Sequence, residues 1–143
     1  MTSKKGKCVP RNPRIPKNGE IFTTDELHRI FCVATQGGIR YSRQHNYVLL
    51  VDDRNSDYED FINLEDQTVI YKGTGSGDQS FEKKCSGAYN RKVKDPNSIL
   101  LYFNKPGPNV NVFKFHVKYV KWWYGHDKEK NRREINFKLK IIK

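Results

Sequence analysis

Two apolar runs and two alternating segments constrain the fold of this 143-residue chain more than any other feature. Residues 47–51 and 98–103 form nearly continuous apolar stretches of strand length, which is typical of strands buried on both faces. Residues 110–123 and 134–141 alternate apolar and polar side chains, as strands do when one face packs on a core. Residues 67–71 are β-branched and aromatic and predict a further strand. The chain is therefore expected to build mainly β-sheet.

One helix is predicted before these strands. Thr23 and Glu26 have the spacing of a capping box, in which each side chain accepts a hydrogen bond from the backbone amide of the other residue. Apolar residues then recur at helical spacing up to Phe31. The glycine pair at 37–38 predicts the end of the helix, since glycine is the usual residue after a helix C-terminus.

These elements together predict an α+β fold. Five or more short strands with one or two short helices favour a curled mixed sheet or a small β-barrel. We predict that residues 19–143 form this domain and that residues 1–18, which are basic and contain three prolines, form a flexible arm. Residues 125–133 predict a long hairpin loop between the last two strands. No apolar run approaches the length of a membrane span.

The charge of the chain is large and unevenly distributed. It has 27 Lys and Arg against 16 Asp and Glu, a net charge of +11. Residues 1–19 hold six basic residues and no acidic one, and residues 71–143 hold seventeen basic and six acidic residues. Residues 20–70 are acidic. A field of this kind steers polyanions to one face and indicates a nucleic-acid partner; solubility alone is the simpler alternative.

The residues that usually carry catalysis or bind metals show no recognisable arrangement. Cys8, Cys32 and Cys85 are odd in number and contain no CxxC pair, so we predict reduced thiols in an intracellular protein and no zinc site. The four histidines lack ligand spacing, and no nucleophile signature or Walker loop occurs. The acidic pairs at 52–53 and 59–60 are typical of solvated turns. We therefore expect no enzyme activity, no metal and no cofactor.

Two tyrosines lie beside loops and suggest a site for a flat ligand. Tyr71 ends a predicted strand just before the glycine-rich residues 73–79, and Tyr58 lies within an acidic turn. Two tyrosine rings on either side of a nucleobase hold it by stacking, worth about 1–3 kcal/mol per base. A neighbouring carboxylate can accept a hydrogen bond from an exocyclic amine. This is the layout needed to read a base outside the duplex.

Four short motifs in order give the chain a family resemblance. They are Gly-Gly-Ile-Arg at 37–40, Ser-Asp-Tyr-Glu-Asp at 56–60, Ile-Tyr-Lys-Gly-Thr-Gly at 70–75 and Asp-Gln at 78–79. This series resembles the SRA domain family, and most closely the SRA-like domains at the N-terminus of bacterial McrA-type HNH restriction endonucleases. The resemblance covers residues 19–141.

The resemblance implies a PUA-like β-barrel that binds duplex DNA and flips a modified cytosine into a pocket. Tyr58 and Tyr71 would stack on the base, and Asp60 would accept a hydrogen bond from its amine. Gly38 and Gly73 would let the backbone line the pocket. The modification would be a 5-methyl, 5-hydroxymethyl or glucosyl group on cytosine, with backbone phosphorothioate as another modification that related bacterial domains read.

The resemblance also implies contacts with the rest of the duplex. Gln36 occupies the place where the family inserts a side chain into the vacated base stack. The phosphate contacts would be Arg40, Arg43, Lys72, Lys83, Lys84 and Arg91. The chain departs from the eukaryotic pattern at Phe61, where a second aspartate follows the Tyr-Glu-Asp motif, and at Lys72, where the family has a small hydroxyl residue.

The function expected from this sequence is that of a reader module without catalytic activity. Its partners would be double-stranded DNA carrying modified bases and a nuclease domain in cis or in trans, in the bacterial cytoplasm and associated with the nucleoid. Three alternatives remain open at this point. They are an RNA-binding PUA-like module that stacks bases on Trp122, Trp123 and Tyr124, a DNA glycosylase that uses Asp60 as its acid or base, and a protein-interaction module.

Overall fold

The computed structural model describes residues 8–52, 62–75, 77–82 and 84–142. The strands are β1 (Ile21–Phe22), β2 (Ile39–Tyr41), β3 (Tyr47–Asp52), β4 (Ile62–Asn63), β5 (Thr68–Lys72), β6 (Ile99–Gly107), β7 (Val110–Asp127) and β8 (Arg132–Ile142). The helices are α1 (Thr24–Phe31) and α2 (Cys85–Lys94). Neither helix in the described part of the chain is long and apolar enough to cross a membrane.

All eight strands belong to one curled sheet. Its order is β2-β3-β6-β7-β8-β5-β4, with β1 paired to β7 outside this path. Strands β3 and β6 are parallel, whereas the other pairs are antiparallel. No ladder joins β2 to β4 in the described ranges, so the sheet there stays open. The predicted α+β fold, a curled mixed sheet with one or two short helices, is confirmed.

The parallel pair β3 and β6 is buried on both faces. Leu50 and Tyr102 face one apolar cluster, and Leu49 and Phe103 face a second cluster on the other side of the sheet. Helix α1 covers the second cluster with residues that include Phe31. Burial on both sides explains why these strands are continuous apolar runs rather than alternating ones.

Helix α1 begins as the sequence predicts and ends earlier. The hydroxyl of Thr23 accepts from the amide of Glu26 at 3.1 Å, and the Glu26 carboxylate accepts from the amide of Thr23 at 2.7 Å. The helix stops at Phe31, where Cys32 adopts the left-handed conformation with φ 53°. The prediction that the glycine pair at 37–38 ends the helix is therefore wrong, because Cys32 already makes the left-handed turn.

A disulfide joins Cys8 to Cys32, so the prediction that all three cysteines are reduced is wrong for this pair. The fold brings the two Cα atoms to 5.7 Å, within the range that a disulfide spans. The amide of Arg11 also donates to the carbonyl of Ile30 at 3.1 Å. These two links hold the described part of the predicted arm against α1.

An ion pair closes the same N-terminal segment. The guanidinium of Arg14 donates to both carboxylate oxygens of Glu20, at 2.9 and 2.6 Å. Hydrogen bonds from Arg14 and from the amide of Lys17 lower the pKa of Glu20 to about 2. Because the folded-state pKa is depressed, this pair stabilises the fold above the ordinary glutamate pKa, and the contribution is lost as the pH falls towards 2. The pair is exposed, so its contribution is small.

Three features of the second half differ from expectation. Helix α2 lies in a segment for which no helix was predicted, because its N-cap residue Lys84 makes no side-chain capping bond and leaves no sequence signal. Strand β6 continues beyond the predicted end at residue 103, through Pro106 to Gly107. The expected long loop at 125–133 is reduced to residues 128–131, since β7 and β8 pair as far as Asp127 and Arg132.

Replacing Thr23 by Ala tests the capping box. The substitution removes the oxygen that accepts from the amide of Glu26, so the free energy of unfolding should fall by about 1 kcal/mol. Urea denaturation measures the change, and Thr23→Ser, which keeps the hydroxyl, serves as the control. Equal stability of the Ala and Ser variants would contradict the capping role.

Candidate nucleic-acid interface

A cavity of about 430 Å³ opens where the ends of β3 and β5 meet the β7–β8 hairpin. We call it the strand-end cavity. Residues from several elements line it, among them Asp52, Tyr71, Gly73, Gln79, Lys130 and Arg132. The cavity therefore combines an aromatic ring, backbone at a glycine and charged side chains of both signs.

Tyr71 is held in the wall of this cavity. Its side chain is only 5% exposed, and its hydroxyl donates to the carbonyl of Val51 at 2.9 Å. Its ring packs edge-on against Tyr102, with centroids 6.1 Å apart. Tyr71 lies on β5 and Val51 on β3, which three other strands separate in the sheet order. The hydrogen bond therefore links two distant strands across the curl and fixes the ring beside the cavity.

Gly38 allows this approach. A Cβ atom at Gly38 would lie 2.5 Å from the Tyr71 hydroxyl, closer than real Cβ atoms come to any atom. The carbonyl of Gly38 accepts from the amide of Val51 at 2.7 Å. Only a residue without a side chain fits between β3 and the tyrosine. The role of Gly38 in lining a base pocket stays a prediction, because the atom that it approaches here is the hydroxyl of Tyr71.

Gly73 is confined by its neighbours and lines the strand-end cavity. A Cβ there would lie 3.0 Å from the side-chain oxygens of Asn90 and Gln79 and from Cβ of Ile135. Its amide donates to the carbonyl of Ile135 at 2.8 Å. The backbone at Gly73 is therefore held against β8 and presents no side chain to the cavity.

Two buried amides fix the loop that follows β5. Gln79 is 2% exposed; its Nε2 donates to the carbonyl of Gly73 at 2.9 Å, and its Oε1 accepts from the amide of Ile135 at 2.7 Å. Asn90, fully buried on α2, accepts from the amide of Thr74 and donates to its carbonyl. Sequence reasoning missed Asn90, because it did not predict the helix that carries it.

Asp52 is a further residue that sequence reasoning missed. It ends β3, is 3% exposed and lines the strand-end cavity. Its Oδ2 accepts from the hydroxyl of Tyr102 at 2.8 Å. The expectation of a solvated acidic turn at 52–53 is thus wrong for Asp52, which the strand carries into the interior. Its position directly after an apolar run was the one signal in the sequence.

Lys72 and Arg40 do not lie free at the surface. Lys72 lines the cavity and forms an ion pair with Glu134 of β8, so a neighbouring carboxylate balances its charge. Arg40 is 2% exposed, and its Nε donates to the carbonyl of Gly37 at 2.8 Å. The expectation that Arg40 contacts phosphate from the surface does not fit this burial on the edge strand β2.

The remaining predicted duplex contacts are exposed where the structure describes them. Gln36 is exposed and lines a smaller cavity of about 290 Å³ together with Gly38. Arg43, Lys84 and Arg91 are exposed as well. Tyr58, Asp60 and Lys83 lie outside the described residues, so the second stacking ring, the predicted amine acceptor and one phosphate contact have no described position.

The C-terminal end of α2 adds a basic surface. Arg91, Lys92 and Lys94 line an open cavity of about 640 Å³ next to Tyr41. The ammonium group of Lys92 lies 5.1 Å from the ring centroid of Tyr41, a distance at which cation and ring attract each other. These cations also complement the negative end of the helix dipole.

The aromatic residues of β7 divide between the core and the surface. Trp122 packs against the buried ring of Phe81 at a centroid distance of 4.7 Å. Trp123 and Tyr124 are 39% and 43% exposed, and the guanidinium of Arg133 lies 4.2 Å from the centre of the Tyr124 ring. Within the described ranges, no group of three or more His, Cys, Asp and Glu side chains is placed to hold a metal ion.

Comparison with known families identifies the fold. The family model described as "ScoMcrA-like, SRA domain" matches residues 18–143. The chain belongs to this family of SRA domains. SRA domains are DNA-binding reader modules rather than catalytic domains, and this domain is homologous to SRA domains that bind modified DNA. The resemblance found in the sequence is confirmed, and so is the expectation of a binding module.

Solved structures share the fold at low identity. The SRA domain superposes on the type IV phosphorothioation-dependent restriction endonuclease ScoMcrA with a TM-score of 0.67 and 23% identity, covering 89% of this chain and 26% of that chain. A structure of the sulfur-binding and SRA domains of ScoMcrA with phosphorothioated DNA gives a TM-score of 0.65 and 22% identity, covering 89% of this chain and 40% of that chain. The SRA domain thus spans less than half of these ScoMcrA chains.

An SRA domain of similar size shows the same likeness. The SUVH5 SRA domain in complex with methylated CHH DNA has a TM-score of 0.63 and 16% identity, covering 95% of this chain and 94% of that chain. No curated protein matches the chain.

Gly38→Ala and Tyr71→Phe should be coupled. The Ala side chain would collide with the Tyr71 hydroxyl, so Gly38→Ala alone should lower the free energy of unfolding by about 1–3 kcal/mol. Tyr71→Phe removes that hydroxyl and its hydrogen bond, at a cost of about 1 kcal/mol. In the double variant the collision is absent, so the combined loss, measured by urea denaturation, should be smaller than the sum. Additive losses would show that the two residues do not interact.

Proposed function

We propose that this SRA domain binds duplex DNA and recognises a modified cytosine by flipping it into the strand-end cavity. The observation that carries the proposal is the fixed ring of Tyr71 in the wall of a cavity of about 430 Å³, inside a domain of the SRA family. A base that is paired and stacked in the duplex cannot reach a ring in the wall of a cavity. The fixed ring, the cavity and the family therefore favour a base that has left the duplex.

The base pocket would be completed by residues outside the described ranges. Tyr58 would stack on the face of the base opposite Tyr71, and Asp60 would accept a hydrogen bond from the base amine. Gly38 and Gly73 would contribute backbone without side chains. The exposed position of Gln36 next to Gly38 supports its role as the side chain that fills the vacated stack.

Phosphate contacts would come from exposed basic residues of the domain. Arg43, Lys84 and Arg91 are exposed, and Lys83 precedes Lys84 in the chain. Lys72 would act from the cavity wall while paired with Glu134. We leave Arg40 out of this set because its side chain is buried.

The biological role would be that of a reader in modification-dependent restriction of foreign DNA, such as phage DNA, in the bacterial cytoplasm at the nucleoid. The chain would act with a nuclease domain in cis or in trans. The match to the phosphorothioation-dependent endonuclease ScoMcrA supports this context. The modification would be a 5-methyl, 5-hydroxymethyl or glucosyl group on cytosine.

Tyr58→Ala tests the flipped-base pocket. Loss of one stacking ring should cost about 1–3 kcal/mol with modified DNA, which is about 5- to 150-fold in affinity, and leave binding to plain DNA unchanged. Fluorescence anisotropy would compare duplexes that carry methyl-, hydroxymethyl- and glucosyl-cytosine or a phosphorothioate linkage with the plain duplex. Tyr58→Phe keeps the ring and is the control.

Three outcomes would overturn the proposal. Equal affinity of the wild-type domain for all modified duplexes and the plain one would exclude modified-base reading, and tighter binding to matched RNA would favour an RNA-binding module. Formation of abasic sites in modified DNA, lost in Asp60→Asn, would instead identify a glycosylase.

Lys84→Gln and Arg91→Gln should change the salt dependence of binding. If each side chain neutralises one phosphate, each variant should weaken binding to modified and plain DNA alike and reduce the slope of log affinity against log salt by about 1. Titrations at several salt concentrations measure this slope. Lys140→Gln is the control, because its ammonium donates to the carbonyl of Asp66 at the other end of β8. An unchanged slope in both variants would remove these residues from the interface.

A further inference from the structure

The tip of the β7–β8 hairpin forms one wall of the strand-end cavity. We define the hairpin tip as residues 127–132. Asp127, Glu129, Lys130 and Arg132 all line the cavity, as Tyr71 does. The sequence predicts a long loop here and assigns it no role, whereas pairing of β7 with β8 carries this stretch to the cavity.

Hydrogen bonds hold the hairpin tip in place. The carboxylate of Asp127 accepts from the amides of Glu129 at 3.1 Å and Lys130 at 3.3 Å, which shapes the turn. The guanidinium of Arg132 donates to the carbonyl of Gly75 at 2.5 Å. The tip is thus tied to the glycine-rich loop, and the side chains of Asp127 and Arg132 are held at the cavity.

The two cations of this wall differ in how far the protein already engages them. Lys130 is exposed and has no ion-pair partner among the described residues. The side chain of Arg132 is 16% exposed, and its buried Nε has no hydrogen-bond partner in the described part of the chain; the Asp127 carboxylate lies 4.0 Å away. Of the other carboxylates in the lining, Glu134 pairs with Lys72 and Asp52 accepts from Tyr102, whereas Glu129 is exposed and has no ion-pair partner among the described residues.

We propose that Lys130 and Arg132 bind the DNA phosphate that adjoins the nucleotide whose base occupies the strand-end cavity. This inference rests on the proposed function, since the phosphate comes within reach only when the base has left the duplex. A guanidinium and an ammonium group are the side chains that best bind phosphate oxygens. The contact therefore adds affinity for modified DNA alone, unlike contacts with the uninterrupted backbone.

The contact between Lys130 and the phosphate is tested by removing the charge of each partner, first separately and then together. The DNA carries one modified cytosine and a methylphosphonate in place of either its 5′ or its 3′ phosphate. The protein variants are Lys130→Gln and, as the matched control, Lys128→Gln, which lies at the same tip, is exposed and does not line the cavity. Each variant is titrated with each duplex by anisotropy, beside the plain duplex.

One of the two methylphosphonates should weaken binding by the wild type and by Lys128→Gln about 10-fold. Lys130→Gln should bind the ordinary modified duplex about 10-fold more weakly and show little further loss with that methylphosphonate, because lysine and phosphate act as a pair. Its affinity for plain DNA should equal that of the wild type. Arg132→Lys, which keeps the charge but not the fork of donors, should give an intermediate loss with modified DNA.

Two results would overturn the inference without touching the proposed function. Each methylphosphonate could lower the affinity of the wild type and of Lys130→Gln by the same factor, relative to the ordinary modified duplex. The phosphate would then lie away from Lys130. The loss in Lys130→Gln could also depend on a glucosyl group and not on the phosphate, which would make the lysine a reader of that substituent. If the wild type does not distinguish modified from plain DNA, the proposed function fails, and this inference fails with it.

Discussion

The hydrogen bond from the Tyr71 hydroxyl to the Val51 carbonyl is the contact on which the site depends. It joins β5 to β3, which lie far apart in the order of the sheet and meet only because the sheet curls. The same bond fixes the ring at the cavity and requires glycine at position 38. One interaction thus couples the curvature of the sheet to the position of the stacking surface.

The walls of the cavity are polar but fixed. Buried amides of Gln79 and Asn90 satisfy the backbone of the loop after β5, and the Tyr102 hydroxyl bonds the carboxylate of Asp52. Such groups are costly to bury unless they are hydrogen-bonded, and here they are. The domain therefore holds a charged cavity beside a dense apolar core, and hydrogen bonds fix the buried polar side chains of Asp52 and Gln79 in its lining.

The strands could be predicted from the sequence because the spacing of apolar residues reflects which faces of a strand are buried. The runs at 47–51 and 98–103 became strands buried on both faces, and the capping box at Thr23 became the start of α1. The order of the motifs pointed to Tyr71 and Gly38, which the structure brings into contact; their role in binding a base stays a prediction. These patterns involve residues that are close together in the sequence, so they can be recognised without knowledge of the fold.

What the sequence could not show depends on contacts between distant residues. The burial of Arg40 and Asp52, and the disulfide between Cys8 and Cys32, arise only once the chain has folded. Helix α2 has no capping signal, so Asn90 remained hidden. The short hairpin at 128–131 followed from strand pairing that extends through charged residues.

The disulfide has a consequence for the described part of the N-terminal segment. The bond between Cys8 and Cys32, 24 positions apart, closes a loop that contains Arg11, Arg14 and Lys17. Closing a loop of this length removes conformations from the unfolded chain and so favours the folded one. Reduction would leave non-covalent contacts, such as the hydrogen bond from the amide of Arg11 to the carbonyl of Ile30, to keep this segment on α1.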